Sequence, residues 1–180
     1  GCAVAKAAMQ RGAKVTLVAG HMEVLPPMFV DVVNVKSAAD MFEAVTKLAP
    51  EQDIIVKAAA VADYTPVAVA DNKIKKSDDD MKIELKRTKD ILGYLGQHKR
   101  DGQVICGFSM ETQNMLENSK AKLAKKNADM IVANNLKVAG AGFGTDTNVV
   151  TLITADDCTE LEIMDKSCVA ARIMDRLLQM

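Results

Sequence analysis

The sequence predicts an α/β domain with a Rossmann-like, three-layer architecture: a parallel sheet with helices on both faces and two projecting β-hairpins. Three observations predict it. Five short apolar, β-branched runs are each bounded by polar or turn residues, and amphipathic helical patterns alternate with them. Of the 180 residues, 49% are apolar, which suffices for one substantial core and gives a single domain over residues 1–180.

The elements follow in order. The stretch GCAVAKAAMQRG reads as an Ala-rich helix ending near Gly12. A sheet of this kind sets a strand and a glycine-bearing loop before its first helix, so an N-terminal strand and its phosphate-holding loop are expected ahead of these residues. KVTLVAG (14–20), VVNV (32–35), DIIVKAAA (53–60), QVICGFS (103–109) and DMIVAN (129–134) are the five predicted strands. SAADMFEAVTKLA opens with Ser37 as N-cap and aligns Met41, Val45 and Leu48 on one stripe. A second helix starts near Asp90 with Ile91, Leu92 and Leu95 inward, and a third spans about 112–127 with Leu116 and Leu123 inward. Strict alternation over Lys82–Lys86, beyond the polar turn Asp78–Asp80, predicts a half-exposed antiparallel hairpin. NVVTLITADDCTELEIMD repeats that design before the last helix, KSCVAARIMDRLLQM, with Val169, Ile173 and Leu177 on one side. Projecting, partly apolar hairpins need cover, which makes a homodimer contact an expectation.

A net charge of −1 excludes a generally nucleic-acid-binding or membrane-surface protein. No apolar run approaches the roughly 20 residues that span a bilayer, and a cytoplasmic protein fits. Cys2, Cys106, Cys158 and Cys168 form no metal-ligand pattern and read as reduced, mostly buried thiols. His21 and His98 are lone and read as surface residues.

Asp63 follows the third strand, at the end where open parallel sheets bind ligands; it is either a ligand-facing carboxylate or a turn cap. Lys73, Lys75 and Lys76 follow on the projecting arm, either as counter-charge for a polyphosphate or as a solvated edge. Lys122 and Lys126, four apart on a predicted helix, share a face, and both the anion-binding and the solvent-face readings stand. Asp78-Asp79-Asp80 reads as a hydrated turn, and GAGFGTDTN (140–148) as a turn-rich connection rather than a phosphate loop.

Six segments then occur in one order and spacing: AAAVADY with its interval to KIKK, RTKDIL, GFSMET, ADMIVANN and GFGTDTNVV. In these the chain resembles bacterial phosphopantothenate–cysteine ligase, the synthetase half of the coenzyme A biosynthesis flavoprotein, across essentially all 180 residues. The resemblance implies a synthetase domain that joins 4′-phosphopantothenate to L-cysteine through an acyl-cytidylate made with CTP, with Mg2+ beside the phosphates. It implies that Ala59, Asp63, Lys73, Thr88, Lys89, Asp90, Ile91, Phe108, Lys122 and Lys126 contact the nucleotide, and that Lys73, on a flexible flap, is also catalytic. Phe108 at a strand end offers a flat wall for a base. The preference for CTP over ATP comes from the bacterial look of the motifs. The family's I-S-N-x-S-S-G-K-M segment, whose asparagine serves the second half-reaction, would precede Gly1, and an FMN-dependent decarboxylase domain is a possible fused or associated partner. A short-chain dehydrogenase is disfavoured, because Tyr64 and Tyr94 are followed four residues later by Ala68 and His98 rather than lysine. The remaining alternative is a non-catalytic nucleotide-binding or dimerisation module.

Overall fold

The structure is a computed structural model that describes residues 1–75, 80–111, 115–135 and 145–180. In chain order it contains α1 (Cys2–Gln10), β1 (Thr16–Ala19), β2 (Asp31–Asn34), α2 (Ala38–Leu48), β3 (Ile54–Lys57), β4 (Tyr64–Pro66), β5 (Leu85–Arg87) and α3 (Ile91–Gln97). There follow β6 (Val104–Glu111), α4 (Met115–Lys125), β7 (Met130–Asn135), β8 (Thr147–Asn148), β9 (Val150–Ile153), β10 (Cys158–Glu160), β11 (Met164–Asp165) and α5 (Lys166–Leu177). All five predicted strands form.

The main sheet has the order β10-β9-β7-β6-β3. Its β3, β6 and β7 are parallel, while β9 and β10 join antiparallel. A parallel pair, β1 with β2, lies apart from it. Among the described residues β1 and β3 do not pair with each other, so each keeps one edge open.

Alternation along the strands divides the core into two faces. Ile105 and Ile131 meet Met41, Ile91, Leu92, Leu95 and Leu123 from α2, α3 and α4. Cys106, Met130 and Val132 turn to the other face and meet Val4, Ala7, Val169, Ala170, Ile173 and Leu177 from α1 and α5. Helices thus cover both faces, and each Val, Leu, Ile or Met among these side chains contributes about 1.5–3 kcal/mol when fully buried. Two pairings within the core satisfy buried polar side chains. Ser109 Oγ and Ser119 Oγ, both buried, lie 2.9 Å apart, and Gln103 Nε2 donates to the carbonyls of Ala49 (2.8 Å) and Gln52 (2.6 Å).

Helix ends agree with the sequence. Ser37 caps α2 in a reciprocal capping box with Asp40, and Asp90 caps α3 by accepting from Gly93 N at 2.9 Å. At the α1–α5 contact, Arg11 Nη2 reaches Asp175 at 2.6 Å and the carbonyl of Ala171 at 3.3 Å, while its Nη1 donates to the carbonyl of Ala7 at 2.9 Å.

Four expectations need correction. The alternating stretch Lys82–Lys86 contributes β5, whose partner is the distant β4 just beyond Asp63, so the arm is a long-range ribbon; Lys76, Asp78 and Asp79 lie outside the described residues. The C-terminal hairpin does not project: β9 is buried throughout because it extends the main sheet beside β7. Leu116 is 46% exposed, since α4 begins only one residue before it and its phase turns Leu123 and Ser119 inward. Cys158 and Cys168 are exposed and Cys2 is half-buried, leaving Cys106 as the buried thiol; Cys158 sits on the outermost strand of the main sheet. Burial pushes the Cys106 thiol far above its ordinary pKa.

Candidate functional site

The carboxyl ends of β3 and β6 open onto a group of charges supplied by four elements. After β3 the chain runs through Ala59 and Asp63 into β4, and this loop is tied to the far side of the arm. Thr88 Oγ1 donates to the carbonyl of Ala62 at 2.7 Å, and Thr88 N to that of Asp63 at 2.9 Å. Two residues on, the Asp90 carboxylate caps α3 with one oxygen and accepts an ion pair from Lys126 with the other. Lys126 follows the last turn of α4, which stops because Asn127 takes a left-handed backbone with φ +48°. One turn earlier, Lys122 Nζ donates to the carbonyl of Phe108 at 2.8 Å, linking α4 to the middle of β6, which runs on to Glu111.

These placements bring most of the expected residues together. Ala59, Asp63, Thr88, Asp90, Phe108, Lys122 and Lys126 share the same end of the sheet. Three expected residues behave differently. Lys89 turns toward α2, with its ammonium 4.6 Å from the centre of the Phe42 ring, beside a shallow cleft of about 350 Å3 that Asp90 and Tyr94 also line. Ile91 is only 3% exposed, so its side chain belongs to the core and only its backbone is left to meet a ligand. Lys73 is exposed, and among the described residues no hydrogen bond or ion pair joins it to the others. The Phe108 ring packs toward the α1 and α5 face, whereas its carbonyl serves Lys122.

Electrostatics knit the group together. Desolvation raises the pKa of Asp90, but the hydrogen bonds from Lys126 and Gly93 N, with the charges of Lys126 and Lys57, outweigh it and leave the carboxyl below its ordinary value. Two residues that the sequence did not single out also belong here. Lys57, half-buried at the tip of β3, donates to the carbonyl of Ala59 at 2.8 Å. Its pKa is lowered chiefly by burial and then by Lys122, against the raising pull of Asp90 and Asp63. Asn134, near the end of β7, has a buried Oδ1 without a hydrogen-bond partner, an arrangement that costs about 1–3 kcal/mol when nothing fills it. A lysine within an otherwise apolar run was the available signal for Lys57; for Asn134 there was none.

Among the described residues no group of three or more His, Cys, Asp or Glu side chains could hold a metal ion. Asp90 is committed to Lys126 and to its helix, which leaves Asp63 as the other carboxylate among the described residues of the site. That donor set does not make a resident metal cage. Also among the described residues, no helix is long and apolar enough to cross a membrane.

Residues 1–180 match the family described as "DNA/pantothenate metabolism flavoprotein C-terminal domain". The Coenzyme A biosynthesis bifunctional protein CoaBC of Bacillus subtilis is 47% identical over 179 residues, 98% of this chain and 44% of that protein. A protein named Cysteine/Cysteine sulfinic acid decarboxylase, from an unknown prokaryotic organism, is 43% identical over 99% of this chain and 50% of its own length. The chain thus spans about half the length of the curated relatives it matches. Among solved structures, the C-terminal domain of a CoaBC protein superposes with a TM-score of 0.83 at 39% identity, covering 99% of this chain and 80% of that one.

Proposed function

The chain belongs to the DNA/pantothenate metabolism flavoprotein C-terminal domain family, and from that membership we propose that it forms the amide between 4′-phosphopantothenate and L-cysteine in coenzyme A biosynthesis, using CTP. The observation that carries the proposal is the convergence of Asp63, Asp90, Lys122 and Lys126 beyond the carboxyl ends of β3 and β6, where a doubly wound sheet receives a nucleotide.

In this reading the phosphopantothenate carboxylate attacks the α-phosphorus of CTP, pyrophosphate leaves, and the resulting acyl-cytidylate is taken by the cysteine amine with loss of CMP. Two anions must meet in the first step, so cations that share the charge of the departing pyrophosphate lower the barrier most. Lys122 and Lys126 supply them from a fixed helix end, and Lys73 arrives on the arm between β4 and β5. Thr88 holds the Ala59–Asp63 loop at its distance from α3 and so fixes the floor on which the nucleotide rests. Magnesium accompanies the triphosphate as its counter-ion, with Asp63 as the carboxylate available to share it, and no step is routed through it.

The arm also supports a homodimer. Tyr64, Val69, Ile74, Met81, Ile83 and Leu85 are each more than half exposed along it, too much apolar surface for a lone ribbon in water. A fused or associated FMN-dependent decarboxylase domain and a cytoplasmic location complete the reading, as does one more strand ahead of α1, set between the open edges of β1 and β3.

The decisive measurement is pyrophosphate release with phosphopantothenate and cysteine present, CTP compared with ATP. Release that depends on CTP is expected. Tight nucleotide binding with no release would instead favour a non-catalytic nucleotide-binding module.

A further inference from the structure

We propose that Lys57 is a further nucleotide-binding residue, the ammonium that reaches the phosphate chain from the strand side of the site, opposite the lysines of α4. This rests on the nucleotide reading above and assigns to that site a group that the family resemblance left out.

The geometry begins with the sheet. Lys57 is the last residue of β3 and is in register with Gly107 of β6, one residue before the Phe108 whose carbonyl holds Lys122. Its side chain therefore leaves the sheet at the edge where ligands of open parallel sheets bind. The ammonium donates to the carbonyl of Ala59 at 2.8 Å, which folds the side chain back over the loop leading to Asp63.

Three features separate Lys57 from an ordinary surface lysine. It ends a run of Ile54, Ile55 and Val56 and is itself half-buried, a position that costs an ammonium hydration. The charged groups acting on it come from every neighbouring element: Asp63 from the loop, Asp90 from the start of α3, Lys122 from α4 and Lys126 from just beyond it. Asp90 is already neutralised by Lys126, so the surroundings are short of negative charge. Lastly, an ammonium carries three donors, and the bond to Ala59 uses one of them on a neutral acceptor. A half-buried cation beside a second cation, with donors to spare, matches the oxygens of a polyphosphate better than any group now facing it.

The test is calorimetric titration of the protein with CTP and with cytidine, comparing wild type, Lys57→Met and Lys57→Arg; ATP and adenosine replace them where ATP is the nucleotide bound. Methionine keeps the length and apolar stem of the lysine. Lys57→Met is expected to weaken triphosphate binding by about tenfold or more, the scale of one charge-assisted hydrogen bond, with nucleoside binding within about twofold and Lys57→Arg close to wild type. Across a series of alkaline pH values, wild type should also take up more protons than Lys57→Met on binding the triphosphate, because the anion raises a pKa that burial has lowered.

Triphosphate affinity unchanged within about twofold in Lys57→Met would overturn the proposal. So would equal weakening of triphosphate and nucleoside, which would reduce Lys57 to a brace for the Ala59 carbonyl. Wild-type protein that binds neither compound would sink the underlying nucleotide reading itself, a result distinct from either.

Discussion

Gly96 joins the stability of the fold to the placement of the site, and Gly96→Ala should damage both. Gly96 lies on the buried face of α3 against the end of α4, where Asn127 Nδ2 donates to its carbonyl at 2.8 Å. A Cβ added there would stand 1.8 Å from the carbonyl oxygen of Lys126, 2.8 Å from its carbonyl carbon and 3.2 Å from Asn127 Cβ. Real Cβ atoms essentially never come within 3.0 Å of such backbone atoms, so α3 and the end of α4 must part by more than about 1 Å. Alanine is the better helix former by about 1 kcal/mol in a helix interior, and by less this close to the end of α3. Against that gain stand about 1–3 kcal/mol for overpacking and about 0.5–1.5 kcal/mol for the Asn127 bond that the parting breaks. The clash wins: we expect a net loss near 2 kcal/mol, which lowers Tm by about 4–8 °C in a chain of this size. Lys126 moves with the displaced peptide and loses its register with Asp90, so nucleotide affinity should fall as well. Thermal unfolding followed by circular dichroism, and nucleotide titration below the transition, measure the two effects. A Tm at or above wild type would refute the packing argument, because the propensity gain would then have gone unopposed.

Lys73→Gln should slow pyrophosphate release strongly while moving Tm by no more than about 2 °C, since an exposed side chain with no hydrogen bond or ion pair among the described residues is worth less than about 0.5 kcal/mol to the fold; an unaltered rate removes Lys73 from the chemistry. Asp90 should give an acid signature. Desolvation pushes its pKa up, but the hydrogen bonds and charges of Lys126, Gly93 N and Lys57 bring it below 3.8, so its stabilising share is present above pH 3.8 and is lost as pH falls through the lower folded value. The Tm gap between wild type and Asp90→Asn should accordingly be widest near neutrality and close toward pH 3; a gap independent of pH would count against the ion pair.

Local signals carried the fold far. Ser37 was legible as a cap, and Asp90 as the start of a helix, because such signals are written within four residues, and the five strands announced themselves by β-branched runs. Pairing over distance was not legible: nothing within Lys82–Lys86 tells that its partner lies at Tyr64–Pro66 rather than across the nearby turn. Nor does a largely apolar strand reveal which face each residue takes or where it stops, and so Phe108 was expected at a strand end, whereas β6 runs on to Glu111 and the ring lies on the α1 and α5 side. The candidate site residues came as a set from the family resemblance, and most of them lie at one end of the sheet. Lys57 was read as a mid-strand residue because the apolar run continues to Ala60, whereas β3 stops at Lys57 and thereby turns a strand position into a rim position.

The clasp of Arg11 on α5 bears on how the molecule is made. Together α1 and α5 close one face of the sheet, so the hydrophobic interior on that side stays unsealed until α5 has left the ribosome. Val4 and Ala7 must therefore wait for a partner helix whose Ala171 follows Arg11 by 160 residues. Deleting α5 would leave that face of the sheet covered by α1 alone and hand the product to chaperones and proteases, with Asp63, Asp90, Lys122 and Lys126 all still present.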